Sequence, residues 1–276
     1  MNDIEDAEGM ADVQACLTRW QLTARGAPWR TGSSWLQAVR FNGEPAILKV
    51  ARIEEEHRGG QLMVWWRAHG AVRVLAHDGD AILLEQADDR RSLADMARLG
   101  DDDAASRIIC DVAARLHAPQ SHPRPALLPL PAWFSSLHRV AGTQAGVLGD
   151  AASVAADLLA SPQDITVLHG DLHHGNVLDA GERGWLAIDP KVLIGERGFD
   201  FANILCNPDH ELATSPGRLE RQVAVIAEAA ALERGRLLAW VAAWSGLSAA
   251  WHLEDGTEPH TALAVAGLAL DAMRAG

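Results

Sequence analysis

Cysteine is scarce: Cys16, Cys110 and Cys206 are the whole complement of a 276-residue chain. They are odd in number, far apart and without a CxxC pair, which argues against a disulfide framework and a thiolate zinc site. Reduced thiols in a cytoplasmic protein are the expectation. Long apolar runs are lacking too, since none approaches the roughly 20 residues that span a bilayer. The opening stretch "MNDIEDAEGM" is acidic, without the basic start and apolar centre of a signal peptide. Positive charge is in short supply, with 24 basic against 37 acidic residues and a formal charge of −13. A field of that sign repels nucleic acid and anionic membranes and favours cationic ligands. It also simply keeps a protein soluble, so the charge needs a site before it means more. No internal repeat and no low-complexity segment is present.

The length allows one large domain or two lobes. In "SSWLQAVRF-NG-EPAILKVA" two β-rich runs flank Asn42-Gly43, the strongest short hairpin signal. In the second run Ala46, Leu48 and Val50 point one way, and Ile47, Lys49 and Ala51 the other. A lone lysine in mid-strand is unusual. "EEEHRGGQLMVWWRAHG" reads as a helix with an acidic first turn, against which Gly59 and Gly60 argue. "AVRVLA-HDGD-AILLEQA" reads as a second hairpin, so residues 35–87 spell β-β-α-β-β. The first thirty residues are weakly patterned, and Pro28 opposes one continuous helix there. From Asp88 the texture is helical. Ile108, Ile109, Val112, Ala113 and Leu116 share one face, and Trp240, Trp244, Leu247 and Trp251 recur at helical spacing as core. An α+β chain with a β-rich lobe over residues 1–87 and a helical lobe over 88–276 is expected.

The densest chemistry lies in "VLHGDLHHGNVLD", Val167 to Asp179. A strand ends just before Asp171. Asn176 precedes a short strand that turns through "AGERG" and returns as "WLAID", which places Asn176 beside Asp189. A carboxylate and an amide oxygen at adjacent strand ends suit a hard cation such as Mg²⁺. A second carboxylate nearby can take a hydroxyl proton. Lys49 supplies a positive group, and Glu56, with Glu54 and Glu55 as rivals, could hold it. These are the parts phosphoryl transfer requires. A zinc site on His169, His173 and His174 is the competing reading. Adjacent His173 and His174 point apart on an extended segment, and no cysteine stands near them.

H-x-D-x-x-x-x-N followed by an aspartate at a hairpin end resembles the catalytic and metal-binding segments of the protein-kinase fold. "HGDLHHGNVL", "RGWLAIDPKVLIGERGFDFANI", "WSGLSAAW", "SSW", "PAILKVARI" and "ARLHAP" together resemble the aminoglycoside/hydroxyurea antibiotic resistance kinases, and among them the streptomycin 6-phosphotransferases. The likeness runs over roughly residues 17–270. It implies a kinase-like, two-lobed fold that uses ATP, with GTP open, and Mg²⁺. It also implies Asp171 as base, Asn176 and Asp189 as metal holders, and Lys49 with Glu56 on the phosphates. Glu85–Ala87 would be the adenine hinge, and Asp200 would brace the catalytic loop. The streptomycin 6-hydroxyl is the expected acceptor, with another aminoglycoside, hydroxyurea or a metabolite alcohol as alternatives, and a silent binding module or a zinc hydrolase outside that class.

Three departures stand out. G-x-G-x-x-G is missing, and "RTGSSW" leaves backbone amides and the hydroxyls of Ser33 and Ser34 to cover the phosphates. Gly175 stands where related kinases often carry glutamate. Lys191 adds a cation that could steady phosphate or repel a guanidinium. Carboxylates for a cationic acceptor are sought among Glu196, Asp209, Glu254, Asp255 and Glu258.

Overall fold

A computed structural model describes residues 3–87, 90–144 and 146–275, with side chains from Glu8 onward. Asn42 and Gly43 take φ of 52° and 87°, the left-handed pair that a two-residue hairpin needs. They join β3 (Ser34–Phe41) to β4 (Glu44–Ala51). Two short strands precede these, β1 (Thr23–Ala24) and β2 (Trp29–Arg30), and β5 (Val74–Asp78) and β6 (Ala81–Glu85) follow. Together they form one antiparallel sheet in the order β1-β3-β4-β6-β5, with β2 also on β3.

The alternation in β4 sorts its residues between two helices rather than the expected one. Helix α1 (Asp3–Arg19) lays Val13 and Cys16 against Trp35, Val39, Ala46, Leu48 and Leu83 on one face of the sheet. Its short apolar stripe is too sparse to stand out by periodicity, and it ends before Pro28. Helix α2 (Glu54–Trp66) covers the opposite face, burying Leu62, Met63 and Trp66 in the cluster that also holds Ile82 and Leu84. Burial of such side chains stabilises by about 1.5–3 kcal/mol each. Lys49, paired across the ladder with Leu36 and Ile82, points to this second face.

The glycines of α2 have a packing reason. A Cβ on Gly59 would stand 2.8 Å from the carbonyl oxygen of Pro190, so only glycine lets the helix meet the Asp189-Pro190 segment.

Beyond the sheet the chain is helical, as the periodicity predicts. Helix Asp102–Leu116 buries Ile109, Val112, Ala113 and Leu116, with Ile108 half-buried. Helix Arg234–Glu254 is buried along most of its length. Its Trp240 meets Phe134 and Phe199 at ring-centroid distances of 6.2 and 5.8 Å. Trp244 is buried, while Trp251 is half-buried and edge-on to Trp133. A strand over Leu193–Glu196, not anticipated, pairs with Ile165–Leu168 and with Leu128–Pro129. The latter belongs to a stretch that reads as loop because it is rich in proline. This is the expected α+β, kinase-like arrangement of a sheet lobe and a helical lobe. The proposed boundary at residues 87/88 touches Asp88, which lies outside the described residues. Among the described residues no helix is long and apolar enough to cross a membrane.

The two neighbouring glycines of α2 should respond with opposite sign. Gly59→Ala is expected to destabilise by about 1–3 kcal/mol through overpacking against Pro190. Gly60→Ala meets only ordinary contacts of 3.6–3.9 Å and should stabilise by about 0.5–1 kcal/mol through helix propensity. Urea unfolding of both variants measures the contrast, and equal effects would refute the close approach.

Candidate active site

The segment that carries Asp171 is held from beneath by one carboxylate. Asp200, buried to 1% exposure, accepts the backbone N–H of His169 at 2.8 Å and of Gly170 at 2.7 Å. His117 Nε2 lies 2.8 Å from the same carboxylate. Gly170 turns the chain at φ +85°, where a Cβ would strike Lys191 and Leu193 at 2.8 Å. Asp171 therefore projects from a fixed turn.

Two of the three histidines, His169 and His173, have partners of their own. His169 sits between Ile188 O, 2.8 Å from its Nε2, and the Asp171 N–H, 3.2 Å from its Nδ1. That arrangement makes Nδ1 the acceptor and Nε2 the donor of a neutral ring, and burial lowers its pKa. His173 accepts the Gly175 N–H at Nδ1, 3.0 Å away, which leaves Nε2 facing Asp171 at 3.8 Å. His174 is buried without a hydrogen-bond partner on either nitrogen. Burial, then Arg218 and His173, push its pKa down to about 3. Among the described residues no group of three or more His, Cys, Asp or Glu is placed to hold one metal ion.

Two amides orient the Asp171 carboxylate. Asn203 Nδ2 donates to Oδ1 at 2.8 Å, and Asn176 Nδ2 donates to Oδ2 at 3.1 Å. Asn203 is in turn held by Asn207 Nδ2 at 2.8 Å. Sequence reasoning misses Asn203. Its one signal is an amide set within the apolar run "FANIL".

The hairpin of Val177–Asp179 and Trp185–Ala187 closes as predicted, with Ile188 N donating to Asn176 O at 3.0 Å. Asn176 and Asp189 thus flank its open end. Asp189 adopts φ +57°, a left-handed conformation that costs a non-glycine residue about 1–2 kcal/mol. Its Oδ1 meets Lys49 Nζ at 2.7 Å, and Lys49 also pairs with Glu56. Burial alone would lower the Lys49 pKa, but the Asp189 and Glu56 carboxylates outweigh it and the pKa is raised. Among the three candidate glutamates, Glu56 takes Lys49 and also accepts Ser33 Oγ at 2.9 Å. Lys191 Nζ lies 2.7 Å from Glu55 and 4.0 Å from Glu56. The expected pair of serine hydroxyls divides, because Ser33 serves Glu56 while Ser34 is buried with its Oγ unpartnered.

These donors fit a hard divalent ion. Asp189 keeps Oδ2 outside its Lys49 contact, and Asn176, which gives its N–H to Asp171, directs Oδ1 elsewhere. All are oxygens. Asp171, Asp189, Glu55 and Glu56 against Lys49 and Lys191 leave a formal excess of two negative charges.

Between sheet and hairpin lies a cavity of about 360 Å³, bounded above by Leu36 and Ile47 and below by Leu178 and Ile188. Lys49 and Asp189 line it together with the connecting segment Glu85, Gln86 and Ala87. Its apolar walls suit a flat ring. The Glu85 carboxylate is already engaged, accepting the Arg73 N–H at 2.6 Å and the Arg183 guanidinium.

The five carboxylates sought for a cationic acceptor do not form one group, and Glu196 must be withdrawn. It is 4% exposed and receives Arg236 at two contacts of 2.6 Å, Trp240 Nε1 at 2.7 Å and Gln163 N at 2.9 Å. A carboxylate with four donors in the interior cannot also meet a ligand. Asp209 caps helix His210–Ala213 through Leu212 N at 3.0 Å and pairs with Arg98 at 2.8 Å. Glu254 faces Arg139. Asp255 and Glu258 are exposed, the latter 3.5 Å from His260.

A model of the aminoglycoside/hydroxyurea antibiotic resistance kinases matches residues 19–256. Streptomycin 3''-kinase of Klebsiella pneumoniae is 50% identical over 262 residues, which cover 93% of this chain and 98% of that one. A streptomycin 6-kinase of Streptomyces glaucescens is 32% identical over 268 residues, 89% of this chain and 83% of that one. Among solved structures, a thermostable mutant of aminoglycoside phosphotransferase APH(4)-Ia in a ternary complex with ADP and hygromycin B superposes with a TM-score of 0.66. It is 14% identical and the match covers 95% of this chain and 98% of that one, a likeness of fold.

Glu196→Ala is expected to destabilise by about 3–5 kcal/mol, because Arg236 and Trp240 lose a buried partner. The acceptor KM of the folded fraction should not move. A raised KM at unchanged stability would return Glu196 to the substrate site.

Proposed function

The chain belongs to the aminoglycoside/hydroxyurea antibiotic resistance kinase family, and on that premise we propose that it phosphorylates streptomycin from ATP. The observation that carries the reading is the Asp171 carboxylate, held at both oxygens by Asn203 and Asn176 next to the Lys49–Asp189 pair. Asp171 accepts the proton of the acceptor hydroxyl as its oxygen bonds to the γ-phosphorus. The bond from that phosphorus to the bridging oxygen breaks, and ADP leaves. Lys49, kept charged by its two carboxylates, turns to the phosphates. The adenine would lie in the cavity between Leu36 and Leu178, beside the segment Glu85–Ala87, and GTP stays open as a second donor. Asn176 and Asp189 would hold Mg²⁺, which supplies charge neutralisation along the phosphates.

The acceptor position is best read from the relatives. Identity of 50% with a streptomycin 3''-kinase against 32% with a 6-kinase favours the 3''-hydroxyl over the 6-hydroxyl expected from motifs alone. A formal charge of −13 suits a cationic acceptor.

Incubation with Mg-ATP and streptomycin should yield a product heavier by one phosphoryl group, located at the 3''-oxygen by phosphorus–proton NMR correlation. Phosphate at the 6-oxygen would reverse the choice of position, and no product from any aminoglycoside or hydroxyurea would sink the acceptor assignment. Asp171→Asn should lower kcat by roughly 10²–10⁴-fold while Mg-ATP still binds. Chelation of divalent ions should abolish turnover and weaken nucleotide binding.

A further inference from the structure

Lys191 is the second ammonium of the site, and its surroundings explain its position better than packing does. Its backbone N–H donates to His169 O at 2.7 Å, which ties it to the turn bearing Asp171. Its Cβ comes that close only because Gly170 has none. The side chain, 23% exposed, then reaches to the first turn of α2, 2.7 Å from Glu55 and 4.0 Å from Glu56.

Glu55 is 37% exposed in its side chain, and an ion pair open to solvent on one side is weak. It is a weak anchor for a lysine placed so carefully. Glu56, the stronger partner, already belongs to Lys49 and Ser33. Meanwhile the phosphate side of the cleft is short of side-chain donors. The chain lacks G-x-G-x-x-G, Ser33 is bound to Glu56, and Ser34 is buried. Charge spreads over three oxygens of the transferring phosphoryl group in the transition state, and Lys49 approaches from the sheet. Lys191 starts from the turn that bears Asp171, through its N–H on His169 O, and its ammonium reaches the glutamates of α2 beside Lys49.

We propose that Lys191 is a catalytic residue that rests on Glu55 in the free enzyme and moves to the transferring phosphoryl group in the ternary complex. There it donates to an equatorial oxygen while the bond to the acceptor oxygen forms and the bond to ADP breaks. The acceptor proton goes to Asp171, and Lys191 keeps all of its own. This rests on the phosphotransfer reading above.

The test compares wild type, Lys191→Met, Lys191→Arg and Glu55→Gln. Each is assayed for kcat, for binding of Mg-ADP, and for binding of Mg-ADP with aluminium fluoride, a mimic of the transferring group. Lys191→Met should lose roughly 10²-fold or more in kcat and a similar factor in aluminium fluoride binding, with Mg-ADP alone within about twofold. Lys191→Arg should recover part of both losses. Glu55→Gln should strengthen the aluminium fluoride complex by roughly threefold, since the lysine no longer has a competing carboxylate. Equal losses in Lys191→Met and Glu55→Gln would make the pair a structural tie and overturn the proposal, as would an unaffected Lys191→Met. If wild type modifies no acceptor yet aluminium fluoride binding still depends on Lys191, the acceptor reading falls and the role of Lys191 stands.

Discussion

The ammonium of Lys49 is where sheet, helix and hairpin meet. It leaves the middle of β4, takes Glu56 from α2, and closes on Asp189 at the end of the hairpin. Removing one carboxylate leaves the largely buried ammonium short of a partner, which destabilises the site. Two local concessions allow the meeting. Gly59 gives up a side chain so that α2 can touch Pro190, and Asp189 accepts a left-handed backbone. Both weaken their own element and make sense only through the contact they permit.

A second carboxylate, Asp200, does for the backbone what Lys49 does for the side chains. It binds two consecutive N–H groups, those of His169 and Gly170, and so sets the direction in which Asp171 leaves the turn. The oxygens of Asp171 are then fixed by amides, which orient a carboxylate without adding charge. Neutral His169 and His173 complete the surround. The cluster is therefore rigid beneath and rich in exchangeable ion pairs above, a division suited to binding a polyanion and an ion together.

Much of this was legible from the chain. The Asn42-Gly43 turn, the two hairpins, the long helices and the meeting of Asn176 with Asp189 follow from local periodicity and turn chemistry. The choice of Glu56 among three adjacent glutamates did not follow, because the sequence does not say which side of the first helical turn faces the sheet. Helix α1 was illegible, since its few apolar positions give no strong stripe. Glu196 misled because a buried carboxylate and a ligand-binding carboxylate are the same letter. Asn203 was hidden for the opposite reason, as an amide in an apolar run looks like packing until Asp171 is seen beside it.

The chemical parts and their order are readable along the chain, because motifs such as HGDLHHGN and IDP are short, and short spacings survive folding as short distances. Which distant groups share those parts emerges with the folded chain: Glu56 for Lys49, Asn203 for Asp171, Glu55 for Lys191, Arg236 and Trp240 for Glu196. The physical reason is that pairing of charges and amides over long sequence separation depends on burial and approach, set by the packing of whole elements rather than by any local pattern.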